Sequence, residues 1–287
     1  MVVFSEAIVL IRRPYELTDE QYARIEDLLP TNGHRGGQWN DHRTTLDGIC
    51  WVLHTGAQWR ELPGRYGKWK SVYGRFNRWS KQGLFDRILR RLHTRLDRLR
   101  RLDFDLWCID GSSIRASRAA AGARRRPVAG EPADHALGRS RGGFGTKLHL
   151  IVDGHGIPLA ASISPGQAHE SKHLEPVLEA VRLHRPGPGR PRCRPKALAG
   201  DKGYSYPRVR RYLRRRGIRA VIPTRKDQRR IPQFDKPSYR RRNVVERCIN
   251  WLKENRRMGT RYEKLAVTFL GMIKLAMIRR CHRVLDS

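Results

Sequence analysis

Acidic residues are scarce in this chain of 287 residues. Only 27 Asp and Glu stand against 60 Lys and Arg, a formal net charge of +33. That imbalance calls for an anionic partner, with nucleic acid first and an anionic membrane surface second. Long apolar runs are also missing. The longest, Leu265 to Ile278, has 14 residues and includes Lys274, whereas about 20 are needed to span a bilayer. At the N-terminus apolar residues precede the arginines (MVVFSEAIVLIRRP). A secretory signal has the reverse order, so a cytoplasmic location is expected and no membrane partner. Cysteines are few. The five are far apart, with no CxxC pair, which excludes a disulfide framework and a cysteine zinc site and suggests reduced, mostly buried thiols. A core is not missing. Hydrophobic residues make up 39% and there are seven Trp, enough for one large or two smaller domains and too many for a disordered chain.

The first third has helical periodicity. Thr18 and Gln21 have capping-box spacing, and Tyr22, Ile25, Leu28 and Leu29 follow until Pro30. Leu46, Ile49, Cys50 and Leu53 form a second stripe, and Trp69, Val72, Tyr73 and Phe76 a third. The fourth is Ile88, Leu92, Leu96 and Leu99. Together they predict a small all-α module over 15–102. Lys70, Arg75, Arg78 and Lys81 oppose the third stripe. They read either as a DNA recognition helix or as an ordinary solvated basic face.

From Leu106 the period changes to that of strands. Leu106–Asp110, Lys147–Asp153, Pro158–Ser164, Lys196–Asp201 and Arg219–Pro223 are expected strands. Helices are expected over Leu174–Leu183, Tyr206–Arg216, 239–256 and 262–284. The order predicts an α/β domain over 103–287, a mixed five-stranded sheet with flanking helices. Residues 115–146, rich in Arg, Ala, Gly and Pro, read as a mobile basic loop.

Three acids sit where such a sheet carries chemistry: Asp110 and Asp201 at strand ends, and Glu246 on a closing helix. Phosphate-ester chemistry has a use for them. Two divalent ions about 4 Å apart activate the attacking oxygen and stabilise the leaving one, and carboxylates from several elements hold them. Tyr239, Arg242, Glu246 and Lys253 together fall within one sector of about 60° on a helix turning about 100° per residue, provided the helix reaches back to Tyr239. Residues 207–242 hold 15 Lys and Arg against 2 Asp, a positive field beside the acids.

On these residues the sequence resembles the DDE transposases of bacterial insertion sequences, specifically the IS5 family. The runs LTDEQYARIEDLLP and WRELPGRYGKWKSVYGRFNRW look like that family's N-terminal domain. TKLHLIVDGHGIPL, SPGQAHES and AGDKGY look like its core motifs. Tyr239, Arg242, Glu246 and Lys253 match the Y-(2)-R-(3)-E-(6)-K signature shared with the IS4 group. The resemblance implies an RNase H-like catalytic domain and an N-terminal module that binds terminal inverted repeats. It implies Asp110, Asp201 and Glu246 as the catalytic, metal-binding triad for two Mg²⁺ or Mn²⁺ ions. Arg242, Lys253 and Tyr239 would contact DNA at the cut. A homodimer or higher multimer on transposon-end and target DNA, at the bacterial nucleoid, is expected.

Lys202 follows Asp201 and reads equally as a phosphate contact or a solvated lysine. His169 and Glu170 suit either a place beside the active site or a helix cap. His169 and His173 have a metal-pair spacing, but no further ligand supports zinc. Asp153 reads as a turn residue, and Trp107 and Trp251 as core. Two rival functions remain: a catalytically silent DNA-binding repressor derived from a transposase, and a host RNase H-like nuclease. The intact triad disfavours the first, and the helical module is superfluous to the second.

Overall fold

The computed structural model describes residues 13–31, 40–122 and 131–287. Helix α1 (Asp19–Ala23) opens with the expected capping box. Thr18 Oγ1 accepts from the Gln21 N–H and Gln21 Oε1 from the Thr18 N–H, both at 3.2 Å. The helix then breaks, and a single 3₁₀ turn over Glu26–Leu28 carries the rest of the stripe. Asp41 caps α2 (His42–Thr55), which ends on Gly56 at φ +72°, a left-handed position suited to glycine. Helices α3 (Trp69–Lys81) and α4 (Leu84–Arg98) complete the module.

The sheet follows. Strand β1 (Leu106–Ala116) leads through α5 (Arg118–Ala121) and β2 (Gly138–Ser140) to β3 (Gly143–Asp153) and β4 (Pro158–Pro165). Then come α6 (Leu174–Glu179), β5 (Ala197–Ala199), α7 (Pro207–Arg215) and β6 (Arg219–Val221). Helices α8 (Lys236–Arg240), α9 (Asn243–Glu254) and α10 (Arg256–Gly259), strand β7 (Thr260–Arg261) and helix α11 (Ala266–Leu285) close the chain. Strands β4, β3 and β1 form an antiparallel meander, and β5 and β6 add parallel to β1. This is an RNase H-like arrangement. The five expected strands are its centre, and the short β2 and β7 bring the sheet to seven strands among the described residues.

Strand β1 corrects one expectation. It runs to Ala116 because β3 pairs with it as far as Arg115 and Gly145. The sequence there (GSSIRA) has one large apolar residue, so only the neighbouring strand shows it to be β. The expected loop over 115–146 therefore contains the end of β1, α5, β2 and the start of β3. Its middle, residues 123–130, lies outside the described residues.

The core is continuous across residue 102. Leu53, Phe76 and Leu92 of the helical module belong to the same buried cluster as Leu150, Val245 and Phe269. Helix α11 packs on α3 and α4, and α10 on α2. Buried His93 donates from Nε2 to the Pro158 carbonyl at 2.9 Å, tying α4 to β4. Burial lowers its pKa to about 4. Trp107 is fully buried, and Asp153 organises the β3–β4 turn by accepting from the backbone N–H groups of Asp103, His155 and Ile157. Among the described residues no helix is long and apolar enough to cross a membrane.

Candidate active site

Register places the first two acids. Strands β1 and β5 pair up to Cys108 and Ala199. Two residues further along each chain are Asp110 and Asp201, so they lie abreast and on the same face of the sheet. Backbone amides hold both. Gly111 N–H donates to Asp110 Oδ1 at 2.9 Å and Gly203 N–H to Asp201 Oδ1 at 2.8 Å.

Glu170 joins them. A Cβ on Gly111 would lie 3.0 Å from its Oε1, and one on Gly203 would lie 3.3 Å from its Oε2. The two glycines leave room for a third carboxylate between the aspartates. Its partner is Lys147, with Nζ 3.3 Å from Oε1. From sequence alone Glu170 suits a helix cap as well as a place beside the site. The signal was the glycine close behind each aspartate, in DG and DKG. Burial raises the Asp110 carboxyl to about 6, and Asp201 and Glu170 push the same way against Gly111 N–H and Arg242. Beneath them Tyr204 is held well above the usual phenol range by burial and by Glu170, Asp110 and Asp201.

Glu246 is brought in by a cation. The Arg242 guanidinium donates to Asp110 Oδ2 at 3.4 Å and, more closely, to Glu246 Oε1. Lys253, two turns further along α9, donates from Nζ to Ser112 Oγ at 2.7 Å, and burial lowers its pKa. Tyr239 departs from the expected geometry. The chain turns between α8 and α9, so Tyr239 is not on the helix of Glu246. Its ring still lies 5.7 Å from the Arg242 guanidinium carbon and 5.4 Å from the Phe234 ring. Lys202 is exposed beside Asp201.

On α3, Lys70, Arg78 and Lys81 are exposed. Arg75 is not, which removes it from the expected basic face. It is 6% exposed and donates to the Asn40 carbonyl at 2.8 Å and Thr45 Oγ1 at 3.0 Å. Its position on the helix turns it toward α2. Part of the 207–242 charge is likewise spent internally. Arg208 pairs with Glu175, Arg219 pairs with Asp235, and Arg210 donates to the Ile222 carbonyl. His169 and His173 diverge across a 3₁₀ turn. The first bonds to Tyr206 and the second stacks on His149 at 4.4 Å.

Residues 101–280 match the family model described as "Transposase DDE domain". The chain belongs to this transposase DDE domain family. Residues 17–89 match a second model, "Putative transposase of IS4/5 family (DUF4096)". Among curated relatives, "Putative transposase for insertion sequence element IS402" of Burkholderia cepacia is 33% identical over 49% of this chain and 64% of its own length. The chain thus spans under two thirds of that relative. "Putative transposase for insertion sequence element IS6501" of Brucella ovis is 29% identical over 46% of this chain and 93% of its own length. A solved structure titled "Mos1 transposase paired-end complex with left transposon end" is 13% identical, covering 78% of this chain and 82% of that one, with a TM-score of 0.25.

The donor set of this DDE domain suits a hard divalent cation. It is all oxygen, from Asp110, Asp201, Glu170 and Glu246. Among the described residues no three His, Cys, Asp or Glu side chains are arranged to hold a metal ion as they stand. The Arg242 guanidinium instead supplies positive charge between Asp110 and Glu246. A stand-in cation and a half-buried carboxyl with a raised pKa both fit a site built for added positive charge.

Proposed function

We propose that the chain binds the terminal inverted repeats of an insertion sequence and catalyses metal-dependent DNA strand cleavage and strand transfer. The observation that carries this reading is the alignment of Asp110 with Asp201 across β1 and β5, with Arg242 linking Asp110 to Glu246. Asp110, Asp201 and Glu246 are the catalytic triad, with Glu170 beside them. They would hold two Mg²⁺ or Mn²⁺ ions, which when bound activate the attacking oxygen and stabilise the leaving oxygen at phosphorus. Both steps are in-line displacements. Water forms the new P–O bond as the 3′ oxygen leaves; then that 3′-hydroxyl attacks a target phosphate and the target's own 3′ oxygen leaves.

The chain's cations position the DNA. Arg242 and Lys253 hold phosphates next to the triad, Tyr239 lies against the same backbone, and Lys202 meets a phosphate beside Asp201. Lys70, Arg78 and Lys81 give the helical module its DNA face. Two ends need two sites, so the protein works as a homodimer or higher multimer at the bacterial nucleoid.

The test is incubation of the full chain with a duplex carrying the repeats that flank its gene, with and without Mg²⁺. Strand-specific cleavage at the repeat end should require Mg²⁺. It should disappear in Asp201→Ala while binding persists. Full-rate cutting by Asp201→Ala, or no cutting at the repeat end, would overturn the reading.

A further inference from the structure

Beside the starts of β1 and β5, away from Asp110 and Asp201, the chain puts out a tongue, residues 184–191 (HRPGPGRP). Leu183 and Arg192 close its base as an isolated antiparallel bridge, with N–H to carbonyl distances of 3.0 and 2.8 Å. The base is pinned to the fold. Leu183 is buried, the Arg192 guanidinium carbon lies 4.2 Å from the centre of the Phe104 ring, and its Nη1 is 3.5 Å from Asp97 Oδ1. The Thr94 hydroxyl of α4 donates to the His184 carbonyl at 3.3 Å. Beyond these contacts the tongue stands free, and residues 184–190 are all exposed.

Composition fixes its shape. Pro186, Pro188 and Pro191 each hold φ at about −65° and push the residue before them to an extended conformation. They also lack an N–H, so the tongue is not drawn into the sheet beside it. Gly189 is at φ +124°, which a side chain rarely allows, and a Cβ on Gly187 would meet nothing within 4 Å. The tip is thus a bare, extended backbone. At about 3.1 Å per residue, a leg of about four residues reaches about 12 Å.

Charge fixes its partner. Residues 181–196 hold six Arg and Lys and no Asp or Glu. Arg185 and Arg190 are exposed on the tongue, and neither pairs with an acid among the described residues. A Cβ on Gly189 would lie 3.7 Å from Arg185 Cδ, so the Arg185 stem runs beside the residue that precedes Arg190. Two neighbouring cations without a counter-charge call for a strongly negative surface. The minor groove of A·T-rich DNA is such a surface. It is about 6 Å wide and about 7.5 Å deep, so it takes a backbone without bulk, and the tongue is long enough to reach its floor. A narrow A·T tract concentrates negative potential that draws arginine, whereas a G·C pair puts an amino group on the floor. Resting on the DNA-binding reading above, we infer that the tongue enters the minor groove of an A·T-rich stretch of the bound DNA, with Arg185 and Arg190 lying along the groove. Exposed Arg98, one turn beyond Thr94 on α4, is beside it for a flanking phosphate. The distance from the cut also follows. Asp110 is six residues beyond Phe104, about 20 Å along β1. At about 3.4 Å per step the tongue meets DNA at least about six base pairs from the cleaved phosphate.

The experiment uses the full chain, a duplex bearing the flanking repeat, and hydroxyl radicals, which cut from the minor groove. The wild-type chain should protect one short A·T-rich patch at least about six base pairs from the cut. The Arg185→Ala/Arg190→Ala variant should leave that patch open, with an unchanged melting temperature and about tenfold weaker binding. Two base replacements in the patch separate groove entry from plain phosphate contact. Inosine·C in place of A·T keeps the minor-groove face and changes the major one, and should leave wild-type affinity within about twofold. 2-Aminoadenine·T adds only the amino group on the groove floor, and should weaken the wild type about tenfold and the variant not at all. Equal responses of wild type and variant to 2-aminoadenine, or a variant with the wild-type footprint and affinity, would overturn the tongue assignment alone. A wild-type chain that neither binds nor cuts the duplex would overturn the transposase reading and the tongue with it.

Discussion

Asp110 Oδ2 lies 3.4 Å from Arg242 Nη1, and the same guanidinium donates to Glu246. One arginine thus joins an acid of the sheet to an acid of a helix that begins 133 positions later in the chain. Its charge pulls the Asp110 carboxyl back toward the ordinary carboxylate range. Burial still dominates, and the carboxyl titrates at about 6 rather than 3.8.

That shift gives a pH dependence. A carboxyl whose pKa is raised on folding binds its proton more tightly in the native state. Its contribution is present below about pH 4 and is lost as pH rises through about 6. In EDTA the wild-type chain should lose stability across this window relative to Asp110→Asn. The difference should reach roughly 2 kcal/mol above pH 6. Thermal melts of both proteins at pH 4 to 7 measure it. Asp153 also has a carboxyl raised to about 6 by burial, but it is common to both proteins and cancels. Parallel curves would contradict the account.

Glu170 has a sharper test. Glu170→Gln removes one negative charge between Asp110 and Asp201 without changing shape. The Asp110 step in EDTA should move to lower pH, because one cause of its raised pKa is gone. Cleavage should fall by about tenfold or more, with little change in binding. An unchanged rate together with an unmoved step would reduce Glu170 to a partner of Lys147.

Arg75 and its neighbours on α3 should separate cleanly. Arg75→Ala removes a buried cation from the Asn40 carbonyl and Thr45, and should cost about 2 to 4 kcal/mol of stability. Lys70→Ala, Arg78→Ala and Lys81→Ala should leave the melting temperature within a degree or two and weaken DNA binding instead. Calorimetry and fluorescence anisotropy on the same preparations decide between the two behaviours. Exposed lysines whose loss unfolds the protein but spares binding would reverse the assignment.

Salt should act steeply on binding. With several Lys and Arg on phosphates, affinity should drop by about 10³ or more between 50 and 200 mM salt. Affinity measured by anisotropy over that range gives the slope. A flat dependence would disconnect the chain's +33 charge from DNA.

Much of the site was legible beforehand, because its motifs are local. The capping box at Thr18, the strand at Leu106, the DG turn at Asp153 and the helix carrying Glu246 each depend on neighbours a few positions away. Other features depended on distant partners. The end of β1 is polar and glycine-rich, and is a strand only because β3 continues beside it. Tyr239 shares a helical phase with Glu246 on paper, but the chain turns at Arg241 and Arg242 before α9 begins. Arg75 has the spacing of a solvated residue, yet the approach of α2 buries it.

The sequence by itself determined the charge, the order of helices and strands, the acids to suspect and the family they resemble. These are properties of composition and short-range periodicity, which survive without knowing what packs on what. Tertiary structure alone decided that Asp110 and Asp201 lie abreast, that Glu170 stands between them and that Arg242 spans to Glu246. It also pinned the base of the tongue between α4 and Phe104 and left Arg185 and Arg190 exposed. Register, burial and ion pairing arise between segments far apart in the chain, so their energies have no signature in any single stretch of residues.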